Sequence, residues 1–128
     1  DTKAIQIARI LAEHLPFSYV ALKIPEKSLW EDTCYQVQAG LGILEENRIK
    51  CGLNLQGAAF ETAGGERLTI WLEKENPFLL TRSDLEPIFE EANRQGVELF
   101  GDAIGRMYLS YTAGGHRVHC FALGIAFR

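Results

Sequence analysis

The hydrophobic residues at the start of the chain recur every three or four positions, as on one face of a helix. The positions on this face are Ile5, Ala8, Leu11, Ala12 and Leu15. Pro16 follows them, and proline cannot continue a helix because it lacks a backbone N–H and its ring clashes with the preceding turn. Residues 17–24 form a short apolar run, rich in β-forming residues, that ends at Pro25. The pattern predicts a helix over residues 3–15 and a strand over residues 17–24.

A longer helix is predicted over residues 29–46. Ser28 and Glu31 have the spacing of a capping box, in which each side chain accepts a hydrogen bond from a free backbone N–H at the helix start. One stripe of this segment is apolar and consists of Trp30, Cys34, Val37, Leu41 and Leu44. Gly40 and Gly42 weaken the helix and indicate a kink or a close contact with a sheet.

Two seven-residue segments, residues 62–68 and 112–118, are nearly the same and suggest an internal duplication. Five of the seven positions are identical, and a sixth pairs Leu68 with Val118. Each copy has a Gly-Gly pair between apolar-rich runs, which suits a tight hairpin turn because glycine adopts positive φ without steric cost. The sequence therefore predicts one hairpin from residues 49–61 and 66–74, and a second from residues 97–111 and 116–127.

The second half of the chain repeats the order of the first. Residues 78–81 form a short strand candidate, and Ser83 with Glu86 has the spacing of another capping box. Apolar residues then follow at helical spacing up to Gly96, which stands where a C-cap glycine belongs. These helical positions are Leu85, Ile88, Phe89 and Ala92.

The predicted fold class is α+β. We expect an antiparallel sheet built from two tandem strand-helix-strand-strand repeats, approximately residues 17–75 and 77–128, with the helices packed on one face and an additional N-terminal helix. Residues 1–128 are expected to form a single domain, since 128 residues with 47% hydrophobic content suffice for one core.

Strand alternation separates the two faces of this predicted sheet. The set expected to pack under the helices is Leu68, Ile70, Leu72, Val118, Cys120 and Ala122. The opposite, open face is expected to carry Arg67, Thr69, Trp71, Glu73, Arg117, His119, Phe121 and Leu123. Extension of the register to the preceding strands adds Asn54, Gln56, Phe60, Arg106 and Tyr108 to the open face.

The open face provides the candidate binding site. Its proposed ligand-binding residues are Arg67, Trp71, Glu73, Arg106, Tyr108, His119 and Phe121. Aromatic rings mixed with a few directional polar groups are the usual lining of a small-molecule pocket. The same pattern also occurs on solvated sheet faces that bind nothing and on protein-contact faces.

Charge and cysteine content narrow the classes of partner. With 13 Lys+Arg against 17 Asp+Glu, a net charge of −4 and no basic run, direct binding of nucleic acid is not expected. Three cysteines without a CxxC spacing favour reduced thiols and a cytoplasmic location. The longest nearly apolar run, residues 118–127, is far shorter than a membrane helix, so no membrane association is expected.

The sequence offers no strong catalytic or metal-binding motif, and no cofactor is predicted. His116 and His119 are three positions apart on a predicted strand, so they face opposite sides and form a poor metal-binding pair. Cys120 has apolar neighbours at positions 118 and 122 and is interpreted as a buried, unreactive thiol.

About the last 45 residues resemble part of a known family. A helix ending at Gly96 leads into residues 97–102, then a long strand, a turn and a terminal strand that starts at Arg117. This order is similar to the C-terminal half of the gyrase-inhibitor-like (GyrI-like) effector-binding domains of bacterial regulators. The resemblance implies a domain that recognises cationic amphipathic compounds. Gly105 and Arg106 stand where the family's ligand-facing acidic residue is expected.

The sequence leaves three functional hypotheses open. The first is a non-catalytic small-molecule-binding or regulatory domain, with a groove where the two repeats meet. The second is a protein-interaction module, such as an inhibitor or immunity-type partner, that uses the open sheet face. The third is a small hydrolase that uses Glu73 with His119. The partners left open are a small amphipathic molecule, a protein and a second copy of the chain.

Overall fold

The computed structural model describes residues 2–14, 17–55 and 65–128, and the side chains of these residues from residue 5 onward. The fold is α+β, as predicted, with an antiparallel sheet and an N-terminal helix. The helices are α1 (Thr2–Glu13), α2 (Glu26–Glu31), α3 (Glu45–Cys51) and α4 (Arg82–Gln95). The strands are β1 (Ser18–Ile24), β2 (Gln38–Ile43), β3 (Arg67–Lys74), β4 (Leu99–Ala113) and β5 (His116–Phe127). Their order in the sheet is β2-β1-β4-β5-β3.

The chain divides into two compact units, and the smaller one comprises residues 1–20 and 40–64. In its described part, the Ser18 hydroxyl donates a hydrogen bond to the Leu11 carbonyl, which links the start of β1 to the end of α1. Gly42 lies under the ring of Tyr19, where a Cβ atom would stand 2.8 Å from the ring carbons. A side chain at position 42 would therefore displace the tyrosine.

The larger unit comprises residues 21–39 and 65–128 and contains the main core. Within it, β1 pairs with β4, β4 with β5, and β5 with β3, all antiparallel. Side chains from α2 and α4 pack against one face of these strands. The buried core residues are Leu22, Ile24, Leu29, Tyr35, Leu80, Leu85, Ile88, Ala103, Phe121, Leu123 and Ile125.

Several predicted elements are confirmed. The N-terminal helix and the first strand lie where the pattern placed them, as α1 and β1. Helix α4 ends at Gln95, and its C-cap is Gly96, whose φ of 69° is left-handed. The second hairpin is formed by β4 and β5, and its turn has Gly114 at φ 57° and Gly115 at φ 81°. Two successive positive φ values match the twist of a two-residue hairpin turn, and this explains the Gly-Gly pair.

The helix predicted over residues 29–46 is wrong. Helix α2 ends at Glu31, and residues 38–43 form strand β2. The Ser28 hydroxyl is not an N-cap: it donates to the Asp32 carboxylate at 2.8 Å and accepts the Gln36 backbone N–H at 2.9 Å. These two bonds hold a non-helical segment after α2. The helical spacing was misleading because the apolar residues of this stripe are divided among a short helix, a loop and a strand.

The tandem repeat is not confirmed. Residues 49–51 belong to α3, and residues 52–55, including Asn54, form no strand. The remainder of the predicted strand, with Gln56 and Phe60, and the turn at residues 62–64 lie outside the described residues. Residues 78–81 are no strand either, because only Thr81 forms a bridge, to Cys34. Among the described residues, a strand-helix-strand-strand order occurs once, as β3-α4-β4-β5, and its first strand is residues 67–74.

The capping box of α4 lies two residues earlier than Ser83 and Glu86. Thr81 is the N-cap, and the Asp84 carboxylate accepts its backbone N–H at 2.9 Å. Asp84 also binds the Lys74 ammonium of β3 at 3.0 Å. Burial opposes ionisation of Asp84, but the hydrogen bonds from Thr81 and Lys74 and the lysine charge outweigh it, so the pKa of this carboxyl lies below its usual range.

The predicted faces are correct for β3 and wrong for β5. Leu68, Ile70 and Leu72 pack against the core as expected. They pair with Ile125, Leu123 and Phe121 of β5, so these odd-numbered residues lie on the same, core-facing side. Consequently Phe121 and Leu123 are core residues, whereas Val118, Cys120 and Ala122 lie on the opposite side. The prediction failed because β5 is apolar at both odd and even positions beyond residue 119, so alternation alone does not distinguish its faces.

Candidate functional site

The face of the β3–β5–β4 part of the sheet opposite the core is the candidate site, and we call it the outer face. Ala122 of β5 pairs with Trp71 of β3 on one side and with Arg106 of β4 on the other. The small alanine at the centre leaves space for large side chains from both flanking strands. The residues of the outer face include Arg67, Thr69, Trp71, Glu73, Ile104, Arg106, Tyr108, Leu109, Tyr111, Val118, Cys120, Ala122, Gly124 and Ala126.

Aromatic side chains meet across this alanine. The rings of Trp71 and Tyr108 lie 5.6 Å apart, centroid to centroid, at an interplanar angle of 43°. The Arg106 guanidinium carbon lies 5.1 Å from the centroid of the Tyr108 ring, within the range of a cation–π contact. Trp71 is 51% exposed and Tyr108 is 55% exposed. The two rings stabilise each other and still present about half of their surfaces to solvent.

A bulge in β4 extends the aromatic strip. The register shifts between Met107 and Leu109, so that one extra residue stands in β4. Beyond the bulge, Leu109 faces Cys120 and Tyr111 faces Val118, both on the outer face. Leu109 is 51% exposed and Tyr111 41% exposed. Strict alternation would have placed Leu109 toward the core, so the bulge adds an apolar and an aromatic residue to this face.

A small polar cluster borders the strip. Oε1 of Glu73 accepts the Tyr111 hydroxyl at 3.2 Å and the Cys120 thiol at 3.6 Å. Loss of solvent around the Tyr111 hydroxyl and the adjacent Glu73 charge raise the pKa of Tyr111. The same two causes, burial first, raise the pKa of the Cys120 thiol. Both groups therefore stay protonated at neutral pH and act as hydrogen-bond donors to the carboxylate.

Cys120 should resist alkylation in the folded chain. The residue is 2% exposed and its thiolate is disfavoured by burial and by Glu73, while Cys34 is exposed. We expect iodoacetamide at neutral pH to modify Cys34 first, and to modify Cys120 only when denaturant unfolds the chain. Peptide mass spectrometry of a time course distinguishes the two sites. Equal rates at Cys34 and Cys120 without denaturant would contradict the placement of Cys120.

Five of the seven predicted site residues come together on the outer face: Arg67, Trp71, Glu73, Arg106 and Tyr108. The other two do not. Phe121 is fully buried in the core, and His119 lies on the core-facing side of β5, where Nδ1 is 2.7 Å from the Ser110 hydroxyl. Glu73 pairs in register with Cys120, and His119 with Lys74, so the pairing of Glu73 with His119 expected for a hydrolase is not formed.

Leu109, Tyr111 and Cys120 were not predicted on the outer face. Leu109 and Tyr111 depend on the bulge, which leaves no clear signal in the residues around it. The sequence predicts Cys120 in the core because it shares a face with the apolar Val118 and Ala122. The sides of Leu109 and Tyr111 cannot be assigned without the register of β4 against β5, since a shift of one residue exchanges the faces.

A second surface feature lies on the helix side of the larger unit. A shallow, open cleft of about 560 Å³ is lined by aromatic, aliphatic and charged side chains. Trp30 and Phe89 form one wall, with ring centroids 5.6 Å apart. Two guanidinium groups border the cleft: Arg82 lies 5.7 Å from the Phe89 centroid, and Arg128 lies 4.6 Å from the Phe100 centroid. No pattern in the sequence indicated this cleft.

Two further observations bear on the classes of function. Across residues 2–14, 17–55 and 65–128, no three His, Cys, Asp or Glu side chains gather closely enough to hold a metal ion. In the same part of the chain, no helix has the length and apolar character needed to cross a membrane.

Comparisons with protein-family models, with curated proteins and with solved structures find no match to this chain. Function is therefore inferred from the geometry of the outer face and the cleft.

Proposed function

We propose that this protein is a non-catalytic binding domain whose outer face recognises a protein partner. The observation that carries the proposal is the exposed strip formed by Trp71, Tyr108, Leu109 and Tyr111, each between 41% and 55% exposed. Contiguous apolar surface of this kind is costly to leave in water and is typical of interaction sites.

The residue types support a protein partner. Tryptophan, tyrosine and arginine are the residues that most often dominate binding energy at protein interfaces. The strip combines Trp71 with Tyr108 and places Arg106 against the tyrosine ring, which limits the freedom of both side chains before binding. Arg67 and Glu73 lie along the same strand and provide directional polar contacts at its margin. The partner that fits is a folded protein with an apolar patch bordered by polar groups.

The remaining parts of this proposal follow from the sequence. The three cysteines are unpaired, which suits a reducing compartment, and we propose a cytoplasmic location. Membership of the GyrI-like domains stays a prediction from the order of elements in the C-terminal part of the chain.

The proposal is tested with the full chain carrying a photo-crosslinking residue. The crosslinker replaces Tyr108 on the outer face, and in a matched control it replaces Leu79, which is also exposed but lies in the segment before α4. A protein captured at position 108 and not at position 79 is then purified, and its Kd for the chain is measured by calorimetry. We expect Trp71→Ala to raise this Kd by about 30-fold, which corresponds to about 2 kcal/mol, the level of an interface hot spot. Leu79→Ala should leave the Kd unchanged.

Two results would contradict a role of the outer face. One is crosslinking of the same proteins with equal yield from positions 108 and 79. The other is a captured partner whose affinity is the same for Trp71→Ala as for the unmodified chain. Circular dichroism of Trp71→Ala controls for unfolding.

The cleft favours a second candidate function, the binding of a small amphipathic molecule. Its volume of about 560 Å³ falls in the range of small-molecule pockets, and it combines aromatic walls with two guanidinium groups. The carboxylates of its lining have partners: Glu26 accepts the Gly101 backbone N–H, and Glu98 binds Arg128 at 3.5 Å. We assign a bound anionic group to Arg82, whose guanidinium lies against the aromatic wall of the cleft.

The two tryptophans allow the two sites to be separated. Trp30 lines the cleft and Trp71 lies on the outer face, so Trp71→Phe and Trp30→Phe leave one reporter each. We would titrate both variants with 8-anilinonaphthalene-1-sulfonate and with tetraphenylphosphonium. Saturable quenching of Trp30 by the anionic probe, weakened by Arg82→Ala, supports the cleft. Quenching of Trp71 by the cationic probe supports small-molecule binding on the outer face instead. The absence of a saturable response from both tryptophans would contradict this second function.

A further inference from the structure

Strand β3 is the last strand of the sheet on its side. Among the described residues it pairs only with β5, through residues 67–74, so one row of its backbone N–H and C=O groups faces away from the sheet. An unpaired strand edge of this kind is a template for pairing with another strand. Proteins that avoid such pairing usually place charges or a proline in the middle of the edge strand.

The middle of β3 carries no such protection. Residues 68–72 are uncharged, and Leu68, Ile70 and Leu72 are only partly buried although they pack against the core. The charged residues stand at the two ends, with Glu66 and Arg67 before this apolar stretch and Glu73 and Lys74 after it. Along the chain these four charges are negative, positive, negative and positive. When two copies of the strand run antiparallel, each of the four charges can therefore lie opposite a charge of the other sign.

We propose that β3 pairs antiparallel with β3 of a second copy of the chain, in the register centred on Ile70, and that this joins the sheets of the two copies. In this register Arg67 lies opposite Glu73 of the partner subunit, and Glu66 lies opposite Lys74 of the partner subunit. By the two-fold symmetry each of these pairs occurs twice. Opposite charges directly across two strands stabilise their pairing, and like charges destabilise it.

The same register matches the apolar residues by face. On the core-facing side, Leu68 lies opposite Leu72 of the partner subunit, and Ile70 lies opposite itself. On the outer face, Trp71 lies opposite Thr69 of the partner subunit. These pairs cover the partly exposed apolar side chains of β3 and bring the outer faces of the two copies into one surface.

Two neighbouring registers, centred on Thr69 and on Trp71, also keep the outer faces of the two copies on the same side of the joined sheet, but they are less favourable. A pairing centred on Thr69 places Arg67 opposite Trp71 and gives none of the four charged residues an opposite charge.

A pairing centred on Trp71 places Lys74 opposite Leu68 and Glu73 opposite Thr69. It gives an opposite charge to Arg67 alone, from Glu75, which follows the end of β3. Registers centred between two residues would place the outer face of one copy beside the core-facing side of the other, and they are excluded for that reason. The register centred on Ile70 is therefore the one that pairs all four charged residues of residues 66–74.

The contacts already present on β3 are compatible with this pairing: Nη1 of Arg67 donates to the Gly124 carbonyl at 3.5 Å, which leaves its other N–H groups for a carboxylate. The Lys74 ammonium binds Asp84 of α4, so the pairs of Arg67 with Glu73 carry most of the charge complementarity. Glu73 uses Oε1 for Tyr111 and Cys120, which leaves its second oxygen for a guanidinium. A two-fold arrangement uses both copies of the edge, so the assembly closes at a dimer and does not continue into a fibre.

The dimer is tested by sedimentation equilibrium of the full chain at up to about 0.5 mM, which reveals a Kd of about 1 mM or tighter. Arg67→Glu is expected to weaken dimerisation at least about tenfold, because it places a carboxylate opposite Glu73 twice per dimer. The double variant Arg67→Glu/Glu73→Arg exchanges the charges and is expected to restore the dimer. Arg117→Glu, an equal charge change at the exposed start of β5, should leave the Kd unchanged.

Hydrogen exchange of the unmodified chain tests the location without any substitution. As the concentration rises through the Kd, exchange of backbone amides in residues 67–74 is expected to slow, while exchange in β1 stays the same. Restored dimerisation of the double variant, together with slower amide exchange in residues 67–74, supports the proposal. A chain that sediments as a monomer over the whole range, a dimer that Arg67→Glu does not weaken, or a dimer without slower exchange in β3 would overturn it.

Discussion

Replacement of Phe121 by alanine is expected to lower the free energy of unfolding by about 3–5 kcal/mol. Phe121 is fully buried and lies among the largest side chains of the core. It pairs in register with Leu72 on one side and with Met107 on the other, so the space left by its ring would be lined on both sides by residues of fixed strands. Neighbouring side chains can fill such a cavity only in part, which adds to the loss of hydrophobic burial. Urea denaturation followed by circular dichroism measures the change.

Trp71→Ala is the matched control for this prediction. Trp71 and Phe121 are both aromatic and lie on paired strands, but Trp71 is about half exposed and stands on the outer face. Its removal should cost much less stability than the removal of Phe121, because most of the cost of a large-to-small substitution comes from buried surface and the resulting cavity. Equal losses for the two variants, or a greater loss for Trp71→Ala, would show that the faces of β3 and β5 are not as described.

Asp84→Ala is expected to lower the free energy of unfolding by about 2–3 kcal/mol at neutral pH. The carboxylate accepts the free Thr81 backbone N–H at the start of α4 and binds the Lys74 ammonium at 3.0 Å, and its side chain is only 18% exposed. Loss of a helix cap costs about 0.5–2 kcal/mol, and loss of a hydrogen bond to a charged group costs about 1.5–3 kcal/mol. The control is Glu86→Ala in the same helix, which removes an exposed carboxylate and should change stability little.

The effect of Asp84→Ala should depend on pH in a defined direction. The pKa of Asp84 is lowered in the folded chain, so the ionised form is favoured by folding. This contribution is fully present above the unfolded-state pKa of about 3.9 and is lost as the pH falls through the lower folded-state value. The difference in unfolding free energy between the unmodified chain and Asp84→Ala should therefore shrink below about pH 4. A difference that stays constant from neutral to strongly acidic pH, or a larger loss for Glu86→Ala, would contradict the cap assignment.

Several local signals in the sequence predicted their elements, although both predicted capping boxes were wrong. Helix α1, helix α4 with its C-cap at Gly96 and the β4–β5 hairpin could be predicted because their causes lie within a few residues. Helical spacing, a glycine at positive φ and a Gly-Gly turn act on their own neighbours and need no partner elsewhere in the chain. The open face of β3, with Arg67, Trp71 and Glu73, also followed from simple alternation.

What the sequence by itself determined is therefore the fold class, the positions of α1, β1, α4 and the β4–β5 hairpin, and the exposed side of β3. The tertiary structure decided the rest. The pairing of Leu72 with Phe121 placed Phe121 in the core, and the bulge after Met107 placed Leu109 and Tyr111 on the outer face, where Trp71 also lies. Gly42, which lies under the ring of Tyr19, belongs to strand β2, although the apolar spacing had indicated a helix there. In each case the deciding contact joins residues far apart in the chain or depends on a strand register, and a shift of one residue in register exchanges the faces of every side chain that follows.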